Sequence, residues 1–408
     1  MDQTVTIIPK VRIKSIDAVR GFALMGILLL HCMEHYDLSY RPSLESPFWQ
    51  WIDITVRNMH DILFAGKAYA IFSFLFGLSF IIQMNSQAER GIDFRLRFLW
   101  RLVILFVLGY VNGLFYGSEF FTFYAIFGVI LVPLYKVPSK VLVVLSILLL
   151  LQIPQIIDFI SLLSGDASGT PTALSQNMSA LYSEGRGVFT NGTLWDLFKF
   201  NAIKGHTAKM LWNISVYRHL QLPGLFIAGM LVGRSGIHKD PDKMVYWSKK
   251  LLPYAIGWFL IFYLITNYLL PTFELERRAM RIGTGLFKTY GNIGLITIYM
   301  GGLTLLYYKT IWGCKILDKL AAFGRMSVTN YMIQSIIGVF IFYGFGLGLA
   351  KQSYLTCFLI GVAILLIQTR YSNWWFKRFY YGPMEWLWRS LTWFRKAPMK
   401  RKGSTAVV

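Results

Sequence analysis

The 408-residue sequence contains few charged side chains. Asp, Glu, Lys and Arg make up 15% of it, whereas soluble globular proteins carry about 25%. Hydrophobic residues make up 55% and aromatic residues 17%. A soluble protein of this length cannot cover so much apolar surface with so few charges, and a disordered chain would contain far fewer apolar residues. The composition therefore excludes both classes and predicts a membrane protein.

Cysteine is scarce, and the common cofactor and hydrolase motifs are missing. Cys32, Cys314 and Cys357 lie far apart, without CxxC or Cys/His ligand spacing, so neither a disulfide framework nor a structural metal site is predicted. The sequence contains no P-loop, no dinucleotide-binding glycine motif, no HExxH and no GxSxG. We therefore expect no metal site and no tightly bound cofactor.

Acidic residues are outnumbered, with 20 Asp and Glu against 41 Lys and Arg. Such an excess would indicate nucleic-acid binding in a soluble protein, but here the bases lie between apolar runs, each near the length of about 20 residues that crosses a bilayer. If the N-terminus is cytoplasmic, the cytoplasmic connections carry about twice as many bases as the outer ones. The sequence thus predicts an all-α polytopic bundle of about ten transmembrane helices, with both termini cytoplasmic and no nucleic-acid partner. The runs lie near 18–34, 67–84, 98–116, 120–135, 141–161, 219–233, 251–270, 289–307, 327–348 and 353–369.

The predicted organisation is one transmembrane bundle over 1–370, followed by a cytoplasmic surface segment and tail over 371–408 that is rich in aromatic and basic residues. The N-terminus is polar and basic and lacks a small-residue cleavage pattern, so we expect the first helix to be retained. The tail beyond Lys402 is expected to be disordered. The outer loop 162–218 mixes aromatic and basic residues, which predicts either an interfacial helix or a lid over an outward-facing pocket.

Polar side chains line one side of the first predicted helix. Arg20 and His31 are eleven residues apart, which at about 100° per residue places them on one face, separated by roughly 16 Å along the axis. Asp17 lies one turn before Arg20, and His35 lies one turn after His31. Arg20 can pair with Asp17 or bind phosphate, and His31 can exchange a proton. We expect Arg20 and His31 to share a polar crevice, although both could instead stabilise helix contacts.

Four further polar residues lie in or beside other apolar runs. Glu119, in a very short outer connection, is predicted near the level of His31, where its carboxylate could orient the imidazole or simply contact water. Lys67 begins the second run and could bind substrate or extend to the interface. Asn330 and Gln334 are four residues apart, so they share a helix face and could bind substrate or connect neighbouring helices.

Four stretches resemble the YeiB-like family of bacterial membrane proteins, a domain of unknown function. They are IDAVRGFALMGILLLH, KAYAIFSFLFGLSFIIQ, GRMSVTNYMIQS and YGPMEWLWRSLTW, and they are spread over nearly the whole chain. The resemblance implies a multi-pass protein of the bacterial cytoplasmic membrane. This chain departs from most YeiB-like proteins in having His31 where they have Asn, and Glu119 where they usually have Asp.

An arginine followed eleven residues later by a histidine on the first helix also resembles the opening motif of membrane acyltransferases that modify surface sugars. That resemblance implies cytoplasmic acyl-CoA as donor, a surface glycan or lipid as acceptor on the far face, and membrane lipids as surroundings. Arg20 matches the motif arginine and His31 the motif histidine. The leading prediction is acyl transfer with His31 and Glu119 as catalytic residues, and substrate binding by Asp17, Arg20, His35, Lys67, Asn330 and Gln334. The alternative is a transporter or exporter of a small solute, which would need the same intramembrane polar residues.

Overall fold

The computed structural model describes residues 13–40, 42, 44–164 and 173–401. Over these residues the chain is a bundle of α-helices without strands, apart from an isolated bridge between Phe379 and Lys400. Residues 1–12 of the predicted polar N-terminus and the tail from Lys402 lie outside the described residues. The predicted all-α bundle is confirmed.

The helices follow one another with short connections, some of them 3₁₀ or π segments. In chain order they are α1 (Lys14–Met33), α2 (Pro47–Leu63), α3 (Ala68–Ala88), α4 (Arg95–Phe115), α5 (Phe121–Gly128), α6 (Leu131–Leu134), α7 (Ser139–Leu151), α8 (Ile153–Leu163), α9 (Ala173–Asn191), α10 (Leu194–Phe200), α11 (His206–Ser215), α12 (Arg218–Ser235), α13 (Pro241–Leu264), α14 (Arg277–Lys309), α15 (Ile311–Arg325), α16 (Ser327–Phe342), α17 (Tyr354–Arg378) and α18 (Pro383–Trp393).

Several of these helices can cross a membrane. All ten predicted apolar runs fall largely on helix, although the run at 120–135 is divided into the short helices α5 and α6. The prediction of a helical membrane protein is thus confirmed, while the number of spans and their orientation stay predictions. Within the described chain, six stretches have the length and apolar character of a span: Lys14–Met33, Pro47–Ala88, Arg95–Phe115, Ser139–Leu163, Pro241–Phe273 and Tyr354–Arg378.

Helices α3 and α12 cross at the centre of the bundle with their backbones in close contact. A Cβ atom on Gly77 would collide with the carbonyl oxygen of Phe226, and one on Gly229 would collide with that of Phe74. Small residues at a crossing allow membrane helices to approach this closely. Helix α3 also packs against α1, and side chains of both helices line the cavities described below.

Residues 371–401 of the predicted surface segment pack against the rest of the bundle. The predicted boundary at 370 falls inside α17, which continues to Arg378. On α18, the Glu385 carboxylate accepts hydrogen bonds from the backbone N–H of Val328, at 2.7 Å, and from the hydroxyl of Thr329, at 2.6 Å. These bonds cap the start of α16, where backbone N–H groups lack helical partners. Location of this segment at the cytoplasmic surface stays a prediction.

Directly after α1 the chain turns back through an unusual backbone conformation. His35, Tyr36 and Asp37 are all left-handed, with φ of 52°, 52° and 71°, a conformation that costs an L-residue roughly 1–2 kcal/mol. The turn is held from outside, because the Tyr36 hydroxyl donates to the carbonyl of Gln334 at 2.9 Å and the Tyr343 hydroxyl donates to the carbonyl of Tyr36 at 3.0 Å. Strain maintained in this way is typical of functional sites.

The outer loop 162–218 folds into α9, α10 and α11, apart from residues 165–172, which lie outside the described chain. Side chains of α9 and α11, including Tyr182 and Lys209, enclose a small space of about 20 Å³ with Asp37 of the turn. These helices therefore cover the end of α1, while the lid and the interfacial helix both stay predictions.

Candidate functional site

Arg20 lines a cavity of about 310 Å³ between α1, α3, α4, α16 and α18. Three more arginines line the same space, Arg101 of α4, Arg325 at the end of α15 and Arg389 of α18. We call it the arginine cavity. Its inner wall is apolar and aromatic, so its chemistry changes from cationic at one end to apolar at the other. That inner wall consists of Phe72, Leu75, Phe76, Leu105, Phe121 and Tyr124.

The arginine cavity carries an excess of positive charge. The predicted pair is present, with Arg20 Nη1 2.7 Å from Asp17 Oδ1, and Arg20 Nη2 donates to Ser79 Oγ at 3.2 Å. The guanidinium of Arg101 stacks on Trp388 at 3.8 Å from the ring centre. One carboxylate, Glu385, lines the cavity beside the four guanidinium groups, and its oxygens already cap α16. Such a surface fits a phosphorylated or otherwise anionic ligand.

His31 lies three turns further along α1, in a packed group of tyrosines. Its side chain is buried and its Nδ1 lies 3.0 Å from the hydroxyl of Tyr116, which in turn donates to Asp37 Oδ1 at 3.3 Å. We call His31, Tyr116 and Asp37 the histidine relay. The left-handed turn creates it, because the turn brings Asp37 back beside Tyr116 at the end of α4.

The relay defines the proton positions on His31. With Asp37 ionised, the single hydroxyl proton of Tyr116 goes to the carboxylate, so His31 Nδ1 must donate to the tyrosine oxygen. His31 Nε2 then carries a lone pair, and this buried atom has no hydrogen-bond partner among the described residues. An imidazole with one nitrogen oriented and the other unprotonated can act as a general base.

Arg20 and His31 do not share one crevice, so that prediction is wrong. Phe121 lines the arginine cavity and packs against Tyr331, with 4.7 Å between ring centres, and Tyr331 lies 6.5 Å from the His31 ring. Two aromatic side chains, here called the aromatic wall, therefore separate the cavity from His31. Helical periodicity placed both residues on one side of α1, but large side chains from α5 and α16 fill the space between them.

Glu119 lies near the relay but has other partners. Its carboxylate accepts from the backbone N–H of Phe121 at 2.6 Å and of Thr122 at 3.1 Å, and also from the hydroxyl of Thr122. These contacts cap α5. The described residues show no hydrogen bond between Glu119 and His31, and the acidic partner connected to the imidazole is Asp37.

His35 and Lys67 belong to separate surroundings. His35 Nε2 lies 2.9 Å from the carbonyl oxygen of Gln352, and the ring packs against Tyr354 and Phe342. Lys67 Nζ donates to the carbonyl of Asp61 at 3.0 Å and lines a different cavity, of about 280 Å³. Neither side chain reaches the relay or the arginine cavity.

Asn330 and Gln334 connect α16 to α17. The Asn330 side chain donates to Ser372 Oγ at 2.9 Å, and Gln334 Nε2 donates to Gln368 Oε1 at 2.9 Å. Gln368 in turn donates to the carbonyl of Asn330 at 3.2 Å. These bonds agree with the alternative in which Asn330 and Gln334 connect neighbouring helices instead of binding substrate.

The chain is similar to bacterial proteins over nearly its whole length. Residues 232–395 match a family model described as "Protein of unknown function (DUF418)". YxaH of Bacillus subtilis (strain 168) is 27% identical over 96% of both chains, and YeiB of Escherichia coli (strain K12) is 26% identical over 96% of this chain and 98% of its own. These matches support a YeiB-like DUF418 family for this chain.

A third relative of this YeiB-like protein is an uncharacterized 39.9 kDa protein encoded in the amylase 3' region of Bacillus acidopullulyticus. It is 26% identical over 96% of both chains. No solved structure significantly matches the chain. The comparisons therefore establish a family of full-length relatives without naming a reaction.

Several polar residues near these sites were not identified from the YeiB-like sequence. Lys209 of α11 is buried against Phe120, with Nζ 4.7 Å from the ring centre, and Arg218 at the start of α12 stacks on Tyr69 at 4.0 Å. Burial lowers the pKa of Lys209 to about 8, an effect that Asp37 opposes and Arg218 reinforces. The mixture of basic and aromatic residues in the predicted outer loop 162–218 was the signal in the sequence that could have identified them. It did not indicate which basic residue would lie beside the relay.

Proposed function

We propose that this YeiB-like protein is an acyltransferase of the bacterial cytoplasmic membrane. The arginine cavity faces the cytoplasm and binds acyl-CoA, and the histidine relay lies toward the outer face, where a hydroxyl or amine of a surface glycan or lipid accepts the acyl group. Membrane lipids surround the bundle, and the positive charge is explained by topology without a nucleic-acid partner.

One observation carries the proposal: His31 is held at Nδ1 by Tyr116 and Asp37, while its buried Nε2 has no partner among the described residues. His35 also has a buried ring nitrogen without a partner among the described residues, but its other nitrogen contacts a backbone carbonyl, whereas that of His31 leads through Tyr116 to a carboxylate. An unsatisfied buried acceptor costs free energy, which is compensated when a substrate hydroxyl donates to it.

The arrangement supports a complete acyl-transfer step. Nε2 of His31 removes the proton from the acceptor hydroxyl as its oxygen attacks the thioester carbonyl carbon. The carbon–sulfur bond breaks, and the proton on Nε2 passes to the departing thiolate, so the products are the acylated acceptor and free CoA. Tyr116 and Asp37 stabilise the imidazolium formed between the two proton transfers.

The arginine cavity supplies the donor site. Guanidinium groups of Arg20, Arg101 and Arg389 bind the phosphates, and the apolar inner wall accepts the uncharged pantetheine arm. To reach His31, the thioester passes the aromatic wall, which requires rotation of Phe121 or Tyr331. The wall keeps water from the thioester until the donor is seated.

Turnover by the purified protein tests this function. The protein in detergent is mixed with acyl-CoA donors from acetyl to palmitoyl and with glycan and lipid extracts as acceptors, and free thiol is measured with time. Acceptor-dependent release of CoA is expected. Absence of release, together with no binding of CoA by calorimetry, would overturn the proposal.

Transport of an organic anion is the second candidate, and the aromatic wall is the observation that favours it. A barrier between a cationic cavity and a polar cluster is what alternating access requires. In proteoliposomes, a transporter exchanges labelled anion across the bilayer without thioester cleavage, and Phe121→Ala alters that flux. Flux without CoA release would favour transport, whereas CoA release without flux favours acyl transfer.

A further inference from the structure

A second large cavity lies on the other side of α3 from the arginine cavity. It has a volume of about 400 Å³, within the range of roughly 300–1,000 Å³ that ligand pockets occupy. Leu75 lines both cavities, but no arginine lines this one. We call it the apolar cavity. Most of its lining is aliphatic or aromatic, from α1, α3, α7, α12, α13 and α14.

The apolar cavity is elongated and has one polar end. On α14 its lining extends from Ile293 to Thr304, about 16 Å along the helix axis. Ser15, His238, Ser248 and Thr304 line the end near the start of α1, whereas Leu150, Leu225, Phe74 and Ile293 line the deeper part. Thr297 also lines the deeper part, but its hydroxyl donates to the carbonyl of Ile293 in its own helix. An elongated apolar cavity with most of its polar side chains at one end matches a single acyl chain with its head group at that end.

His238 places a buried ring nitrogen without a partner among the described residues at the polar end of the apolar cavity. Its side chain is only 6% exposed, and its Nδ1 has no hydrogen-bond partner among the described residues. The ring also makes a hydrogen bond to the backbone of Val232. Burial lowers the pKa of His238, so the imidazole is neutral and its Nδ1 can accept a hydrogen bond. A buried acceptor at the rim of an apolar cavity requires a donor such as a hydroxyl or amide N–H.

We propose that the apolar cavity binds one acyl chain of a membrane lipid whose head group donates a hydrogen bond, through a hydroxyl or amide, to Nδ1 of His238. The chain lies between α12 and α14 and its end reaches Leu150 and Leu225. A lipid bound there would hold the α13–α14 hairpin against the rest of the bundle. This proposal does not depend on acyl transfer, since binding needs neither CoA nor the histidine relay.

Photolabelling tests it with a matched pair of variants. Gly301 lines the cavity, and a Cβ there meets nothing nearer than Ser248 at 3.7 Å, while a Cβ on the adjacent Gly302 meets nothing within 4 Å and Gly302 does not line the cavity. A Cβ atom therefore fits at either position, but only the side chain of Gly301→Phe would begin at the wall of the cavity, and the folded fraction of both variants is checked by size-exclusion chromatography. The purified full-length protein is irradiated with a palmitoyl glycerol that carries a diazirine on its chain.

Cross-links are expected in the peptides that contain Leu225 and Ile293, with at least a tenfold loss in Gly301→Phe and no loss in Gly302→Phe. A palmitoyl methyl ester with the same diazirine tests the head group, because it has no donor for His238. In wild type, we expect the ester to label the cavity more weakly than the glycerol probe does. In His238→Phe, we expect the two probes to label it equally. Equal labelling of Gly301→Phe and wild type would overturn the chain site, and equal labelling by both probes in wild type would overturn the role of His238.

Discussion

Arg20 opens onto a cavity of about 310 Å³ with three further arginines, whereas His31, eleven residues along the same helix, lies in a closed group of tyrosines with Asp37 beyond them. The first region has charge and space, and the second has fixed hydrogen bonds and almost no space. A region with room can admit a ligand, while a region with fixed bonds can hold one proton in place. The proposed function therefore assigns donor binding to one end of α1 and proton transfer to the other.

The largest effect is expected where the chemistry is assigned. His31→Asn removes the general base and should lower acceptor-dependent CoA release by about 10²–10⁴-fold, measured as free thiol per folded protein. The control is His35→Asn, one turn further on, where asparagine tolerates the left-handed backbone. Equal losses in both variants would mean that His31 acts through packing alone.

The second-largest effect is expected for the Tyr116 hydroxyl, which connects His31 to Asp37 in the histidine relay. Tyr116→Phe breaks the link between His31 and Asp37 with little change in volume, and turnover should fall about 10- to 100-fold, within the range for an assisting group in proton transfer, with a changed pH–rate profile. Tyr110→Phe is the control, because Tyr110 lies on the same helix but its hydroxyl donates to the carbonyl of Ala202. This variant should leave the turnover rate and the pH–rate profile unchanged. An unaltered pH profile in Tyr116→Phe would contradict the relay.

At the other end, Arg101 should affect binding more than chemistry. Arg101→Gln is expected to raise KM for acyl-CoA about tenfold, consistent with loss of one charge-assisted hydrogen bond, and to change kcat little. Arg97→Gln is a close control, because Arg97 also stacks on a tryptophan of α18, 4.7 Å from the Trp393 ring, but does not line the arginine cavity. A fall in kcat with unchanged KM would reverse the assignment of the two regions.

The smallest effect concerns Lys209 beside the relay. Its pKa of about 8 lies below the ordinary 10.5, so between these values the unfolded chain binds a proton that the folded chain does not. Stability should therefore rise as pH increases from about 8 to 10.5, seen as a Tm increase of a few degrees. Lys209→Met should show a smaller rise than wild type, whereas the exposed Lys199→Met should match wild type, and an equal rise in Lys209→Met and wild type would contradict the burial of Lys209.

Several site residues could be recognised from local sequence, and others could not. Asp17 and Arg20 are one turn apart, so their ion pair follows from helix geometry alone, and the spacing of Asn330 and Gln334 likewise indicates a shared face. Asp37 and Glu119 each follow the end of a predicted span, and nothing in the local sequence distinguishes them as partners of His31. The choice depends on the left-handed turn, which Gln334 and Tyr343 hold from more than 290 residues away.

Residue types along the chain were sufficient to establish a helical membrane protein, because insertion of a segment in a bilayer depends on its own apolar length and charge. The separation of the arginine cavity from the histidine relay arose only in the folded bundle. Side chains from α5 and α16 fill the space beside α1, and the partners of a buried polar group depend on which distant helices pack around it. Periodicity can place two residues on one face, but it cannot show what lies between them.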